Sequence, residues 1–264
     1  MNSITAKSDG MENILNESEI AKMKQCGKLL AEVMTLVKQG LVPGRSTAEI
    51  DQLAEDALRA RGVGAAFKNY MTPDGVRYPA ATCISINNQI VHGLPRPDRE
   101  IVWGDIVSVD IGARCGSICV DMARTFGVGD IPGQADLLIK AAEACLAAGI
   151  AQAHAGNRIG DIGAAIQSVA ENAGFGIVRD LAGHGIGRAI HLPPQIPNFG
   201  QPGVGPAIVE GMALAIEPML VLGDYRIKIE SDGWTVATAD NSLSAHVEDT
   251  VVVLAGKPVN VTGP

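Results

Sequence analysis

The stretch Asp105-Ile-Val-Ser-Val-Asp110-Ile-Gly112, followed by Ser117-Ile-Cys-Val-Asp121, decides how this chain folds. Its first part alternates and is rich in β-branched residues, the pattern of a strand. Its second part is the return strand, across a turn at Cys115-Gly116. With the tip at those two residues, Asp110 falls directly opposite Asp121. Directly opposed side chains have Cβ atoms about 4.5–5.5 Å apart, and two like charges that close destabilise a hairpin. A cation between them removes the penalty, and a divalent metal ion is the natural choice.

Outward from this hairpin, helices and strands come in a repeated order. The first helix spans roughly 19–39, with Ile20, Met23, Leu30, Val33, Met34 and Val37 on one stripe. The second opens on the capping-box pattern Ser46-Thr-Ala-Glu49, presents Ile50, Leu53, Ala57 and Leu58, and stops at Gly62. Strands follow near 81–87, 105–112 and 117–127. The second half has helices near 135–153 and 159–173, then strands near 176–180, 211–222, 226–231, 234–238 and 246–254. Pro43-Gly44 precedes Ile50 as Ala155-Gly156 precedes Ile162, at the same offset (156 − 44 and 162 − 50 are both 112). This predicts an α+β fold of two pseudo-symmetric helix-helix-strand halves around a central antiparallel sheet, with a site between the halves. The boundaries expected are a mobile tail over 1–15, a single domain over 16–257 and a C-terminal tail over 258–264.

A chain of 264 residues with 47% hydrophobic and only 3% aromatic content supports a sizeable aliphatic core. The net charge of −8 argues against a nucleic-acid partner. No run of 18 apolar residues is present, and the N-terminus lacks the basic start and apolar core of a signal peptide, so neither membrane nor secretion is expected. Five scattered cysteines, Cys26, Cys83, Cys115, Cys119 and Cys145, suggest reduced thiols and a cytoplasmic location. Cys115-Gly-Ser-Ile-Cys119 has the look of half a zinc site, but no second Cys/His pair accompanies it.

Three further ligand-type residues stand at the ends or middles of apolar runs. His184 lies in Ala182-Gly-His-Gly-Ile-Gly187, where glycines permit close approach. Glu217 ends Met212-Ala-Leu-Ala-Ile-Glu217 and is held extended by Pro218. Glu248 interrupts Ala245-His-Val-Glu-Asp-Thr-Val-Val-Val-Leu254. Each acid alone is more often a solvated surface residue, and a glycine-flanked histidine is more often structural. The glycines around His184 do not make a dinucleotide fingerprint, because Arg188 stands where the third glycine is needed. Together, four carboxylates and one histidine match the charge and donor set of a two-metal hydrolytic site.

At this point the chain resembles type I methionine aminopeptidase, of the pita-bread metallopeptidase family, over residues 16–256. The resemblance rests on Cys83-Ile-Ser-Ile-Asn87 leading into Val91-His92-Gly-Leu-Pro95, and on Gly104-Asp-Ile-Val-Ser-Val-Asp110. It continues with Gly183-His-Gly-Ile-Gly-Arg188 before His191, then Gly211-Met before Ile216-Glu-Pro-Met219. Asp232-Gly-Trp-Thr235, followed by Ser242-Leu-Ser-Ala245 and Glu248, is the most diagnostic string.

The resemblance implies removal of the initiator methionine from new protein N-termini with a small second residue, by a cytoplasmic, ribosome-proximal monomer. It implies two divalent ions, of Mn, Fe, Co or Zn. Asp110 would bind one ion, Asp121 and Glu248 would bridge, and His184 and Glu217 would hold the other. Glu217 would also accept the proton of the attacking water. His92 would lie beside the scissile amide and His191 would steady the carbonyl oxygen. Tyr78, Cys83 and Trp234 would line the methionine pocket, together with His92 and His191. His154 and His246 are left structural, His246 on the strand face opposite Glu248. Departures are Ile190 where the family has Phe, Leu192 where it has an acid, and the loop Tyr70-Met-Thr-Pro-Asp-Gly-Val-Arg-Tyr78. Two other readings are an X-Pro dipeptidase on the same fold and a non-catalytic peptide-binding relative.

Overall fold

A computed structural model describes residues 14–72 and 75–263. The helices are α1 (Glu17–Gly40), α2 (Thr47–Ala60), α3 (Gly133–Gln152) and α4 (Ile159–Ala173). In the first half, the strands are β1 (Gly64–Ala65), β2 (Thr82–Ile86), β3 (Gln89–Val91), β4 (Ile106–Cys115) and β5 (Ile118–Gly127). After α4 come β6 (Gly176–Ile177), β7 (Ala182–Gly185), β8 (Leu192–Pro197), β9 (Ala213–Ile216) and β10 (Met219–Val221). The chain ends with β11 (Ile227–Ile229), β12 (Val236–Thr238), β13 (Ser244–His246), β14 (Glu248–Val253) and β15 (Pro258–Asn260).

A nine-stranded sheet runs β1-β4-β5-β14-β9-β7-β8, with β2 also on β4 and β15 also on β14. Two three-stranded sheets, β13-β10-β6 and β11-β12-β3, stand beside it. All recorded strand pairs are antiparallel. One apolar core joins α1 and α2 to β2, β4 and β5; a second joins α3 and α4 to β9, β13 and β14.

The repeat extends well beyond the glycine turns. Gly44 and Gly156 both take positive φ, 85° and 100°. In each half, an acid one turn into the second helix reaches back to its N-cap N–H: Glu49 accepts from Ser46 at 2.8 Å and Asp161 from Arg158 at 2.7 Å. Each second helix is then followed by a left-handed glycine, Gly62 at φ 68° and Gly174 at φ 81°. The offset is the same throughout (161 − 49 and 174 − 62 are again 112).

Four expectations need correction. The hairpin tip is Gly116-Ser117, because Cys115 pairs with Ile118. Asp110 therefore faces Ala123, and Asp121 faces Gly112. Side chains alternate with period two along a strand, so this register leaves the two aspartates on one face as a diagonal pair. The run 211–222 is two strands in two different sheets, and so is 246–254. Residues 258–264 do not trail away: β15 pairs with β14, and Val261 and Thr262 are buried. Asn260 Nδ2 and Thr262 Oγ1 both donate to the buried carboxylate of Asp249, which fastens this end. At the other end, Leu15 is buried and its N–H donates to Gly211, so the packed chain starts before residue 16; residues 1–13 lie outside the described residues.

The fourth correction concerns the thiols. Cys26 on α1 and Cys115 at the end of β4 are joined in a disulfide, with Cα atoms 5.9 Å apart across 89 residues of sequence. Packing of α1 on the β4–β5 hairpin brings them together. Cys119 is a separate free, buried thiol, so the half zinc site does not form.

Candidate metal centre

Each ligand-type side chain is delivered by a strand of the large sheet, and two of them sit where strands leave it. Ile216 faces Asp249 in the large sheet, and Met219 faces His246 in a small one. The register is the same on both sides of the bend, so Glu217 lies opposite Glu248. The crossing from one sheet to the other occurs there, because Pro218 lacks the N–H needed to continue a ladder. Both backbone carbonyls at the crossing are held by side chains. Asn198 Nδ2 donates to Glu217 O at 3.0 Å, and Arg124 donates to Glu248 O at 2.6 Å while its other arm pairs with Asp249. An acid pair directly opposed across strands, sought at Asp110 and Asp121, is thus found at Glu217 and Glu248.

His184 reaches the same place from β7. That strand lies very close to its neighbours: a Cβ on Gly183 would meet Ala215 O at 2.3 Å, and one on Gly185 would meet Pro193 O at 2.2 Å. The glycines flanking His184 therefore serve close approach. Asp121 is tied to β14 by Thr250, whose hydroxyl accepts from its N–H and donates to its C=O.

The donor atoms converge in overlapping groups. Ligand atoms of Asp110, Asp121 and Glu248 lie within 4.8 Å of one another, and so do those of His184, Glu217 and Glu248. Glu248 belongs to both groups. A third group contains Asp121, His184 and His191. Asp110 Oδ1, Asp121 Oδ1 and Glu248 Oε1 are buried without a hydrogen-bond partner among the described residues. Unpartnered buried carboxylate oxygens are costly, and a hard or borderline divalent cation meets that need. The residues therefore fit a metal centre.

The electrostatics agree. Burial pushes the Asp110 carboxyl up to about 7 and that of Glu217 up to about 8. Asp121 and Glu248 are also raised, first by burial and then by neighbouring carboxylates. Burial, then His191, pushes His184 down to about 3, so its imidazole is neutral and able to ligate. Without a cation the cluster holds its protons; a cation would displace them.

These groups form the floor of a cavity of about 600 Å³. Tyr78 and Trp234 stand in its wall edge to face, ring centroids 5.0 Å apart, and Cys83 lies beside them. The Tyr78 hydroxyl donates to Thr82 O at 2.9 Å, which leaves its ring to the cavity. His92 and His191 line the opening and are reached by solvent. His92 has a left-handed backbone, φ 58°, unusual for a residue with a Cβ. His191 packs edge to face on His184 at 4.5 Å and on Tyr70 at 4.9 Å.

A profile of metallopeptidase family M24 matches residues 21–255. The chain belongs to metallopeptidase family M24. Its relatives include the methionine aminopeptidase of Clostridium perfringens, 46% identical over 247 residues, which cover 94% of this chain and 97% of that one. Methionine aminopeptidase 1 of Bacillus subtilis is 39% identical, over 89% and 92%. Among solved structures, the methionine aminopeptidase from Thermotoga maritima superposes with a TM-score of 0.91 at 39% identity, covering 95% and 99%. The prolidase from Pyrococcus furiosus shares the fold at 19% identity and a TM-score of 0.75, with only 66% of that chain covered. The pita-bread fold and a metal-dependent hydrolase, both expected from the resemblance, are thereby established.

In this M24 chain the five ligand-type residues and the three pocket residues named from sequence all meet at one cavity, with His92 and His191 at its edge. Tyr70, at the start of the loop that departs from the family, also lines it, as does Phe67, which was not singled out from sequence. Ile190 is absent from the cavity wall; it is buried beside Phe67, where the two side chains crowd Gly112. Leu192 does line the cavity. His154 remains at a helix end, hydrogen-bonded with Asn157. His246 is not on the opposite face from Glu248. Two residues apart on an extended chain, they project the same way, and His246 Nε2 lies 3.6 Å from Glu217 Oε2 and 4.0 Å from Glu248 Oε2.

Proposed function

We propose that this M24 protein removes N-terminal methionine from polypeptides with a small second residue, using two divalent metal ions. The observation that carries the reading is the sharing of Glu248 between two groups of ligand atoms at the floor of an aromatic-walled cavity. A carboxylate common to two groups suits a bridged pair of ions. Asp110 would hold one ion, His184 and Glu217 the other, and Asp121 and Glu248 both. When bound, the ions lower the pKa of water and polarise a carbonyl. Mn, Fe, Co and Zn all suit this oxygen-rich, single-histidine set.

The chain's own residues do the rest. Glu217 accepts a proton from the attacking water, a role suited to a carboxylate at the floor of the cavity. His92, at the cavity edge, hydrogen-bonds the scissile amide, and His191 donates to the carbonyl oxygen as charge develops. Tyr78, Cys83 and Trp234 offer an apolar wall with a soft sulfur and aromatic faces, which suits a thioether side chain. The partners are N-termini of newly made chains, met near the ribosome in the cytoplasm by a single-domain monomer. Disulfides are rare in reducing compartments. Alkylation of thiols as cells are lysed in denaturant tests the location: Cys26 and Cys115 labelled as free thiols support the cytoplasm, and a Cys26–Cys115 disulfide carried intact from the cell counts against it.

The deciding assay compares Met-Ala-Ser with Ala-Pro peptides. Methionine release that a chelator abolishes and added Mn or Co restores is the expected result. Selective cleavage of Ala-Pro would move the chain to the X-Pro reading, and no cleavage of either, with metal bound, to a non-catalytic one.

A further inference from the structure

His246 is buried, 1% exposed, yet neither ring nitrogen has a hydrogen-bond partner among the described residues. Its backbone is fully engaged: the N–H donates to Thr125 Oγ1, and that hydroxyl donates to its C=O. A side chain kept only to fill space would be apolar, since an unpartnered buried polar group is costly. The imidazole is aimed instead. Nε2 points between Glu217 Oε2, at 3.6 Å, and Glu248 Oε2, at 4.0 Å.

Glu217 thus lies between two histidines, one on each oxygen. His184 Nε2 is 3.7 Å from Oε1, and His246 Nε2 is 3.6 Å from Oε2. His184 belongs to groups of atoms close enough to share an ion, whereas His246 belongs to none among the described residues. Its distances are those of a donor standing just behind the ligands.

We propose that His246 is a positioning residue: its Nε2–H donates to the rear oxygen of Glu217, and so fixes which oxygen of that carboxylate is offered to metal. The inference rests on the metal-ligand reading above. It adds a residue to the site that touches neither substrate nor ion, and it assigns the imidazole tautomer. At 3.6 Å the contact is longer than a hydrogen bond, and a small turn of the Glu217 carboxylate would close it. Outer partners of this kind orient the ligand and raise its basicity.

The test uses the full-length protein and Co(II). His246→Leu keeps the volume and removes the donor; His246→Gln keeps a side-chain N–H. The Leu variant should bind Co(II) about 10–100-fold more weakly, with shifted visible absorption bands, and the Gln variant should stay within about threefold of the original. Unchanged affinity and spectrum in the Leu variant would overturn the proposal. So would equal losses in Leu and Gln, which mark a space-filling role. Asp110→Asn separates the two levels. If the original protein and Asp110→Asn bind Co(II) alike, the ligand reading itself fails and His246 falls with it. Should the Leu variant not fold, long-range ¹H–¹⁵N NMR of the zinc-loaded original protein decides. An Nε2–H tautomer with a downfield proton is expected, and an Nδ1–H tautomer overturns the proposal.

Discussion

At the scale of single residues, the site depends on carboxylates that each bury an oxygen with no hydrogen-bond partner among the described residues, Asp110 Oδ1 among them. Asp110→Asn removes a proposed ligand and half the anionic character of the Asp110–Asp121 pair. Peptidase activity should fall by at least about a hundredfold, with Co(II) binding weakened in parallel, because ligand-side losses cost at least what outer-partner losses do. Trp234 acts on binding. It packs edge to face on Tyr78, a contact of about 0.5–1.5 kcal/mol beyond its area. Trp234→Ala should raise KM for Met-Ala-Ser with little change in kcat, the mark of lost uniform binding. These candidate ligands were legible in sequence because each stands as a polar intrusion in an apolar run. His246 was not, because a histidine beside a candidate ligand carries no signal of where its ring points.

At the scale of elements, the decisive feature is the bend shared by two strand pairs. β9–β14 becomes β10–β13 at Glu217-Pro218, opposite Val247-Glu248. Arg124 fastens this bend to β5 through Glu248 O and Asp249. Its side chain is 19% exposed and that of Asp249 4%, so the pair is largely removed from solvent. Arg124→Ala should lower the unfolding free energy in urea by about 3 kcal/mol, the low end for breaking a buried pair, since Asn260 and Thr262 still donate to Asp249. The Cys26–Cys115 link acts between α1 and the hairpin. Replacing both cysteines with serine should cost about 2–4 kcal/mol in the same measurement. The sequence showed each strand by its alternation. It could not show that 211–222 and 246–254 change sheets half-way, because alternation persists through a bend.

At the scale of the whole molecule, charge and fold stability are linked through the site. Burial raises Asp110 to about 7 and Glu217 to about 8, far above ordinary carboxylates. A raised pKa in the folded state gives stability at low pH that is lost as pH rises through the folded value. His92 and His184, with lowered values, act below about 6.5 and in the opposite direction. From about pH 6.5 to about pH 8.5 the carboxylates therefore dominate, and the metal-free protein should melt at progressively lower temperature. Metal binding displaces those protons and strengthens as pH rises. The gap in Tm between metal-loaded and metal-free protein should widen across the same range, as thermal-shift measurements can check. A constant gap would mean that these carboxyls do not bind the ion.

The sequence alone determined the helices, the repeat at an offset of 112 residues between Gly44 and Gly156, and the acids and histidines that gather at the cavity. Caps, turns and periodicity are set by interactions within a few residues, so they survive in a linear reading. Tertiary structure decided which residues meet. The hairpin slipped by one residue at its tip, yet the period of two kept Asp110 and Asp121 on one face. The opposed acids proved to be Glu217 and Glu248, a disulfide joined Cys26 to Cys115, and His246 turned toward the site. Each depends on the docking of elements far apart in the chain, where packing rather than local preference chooses the register.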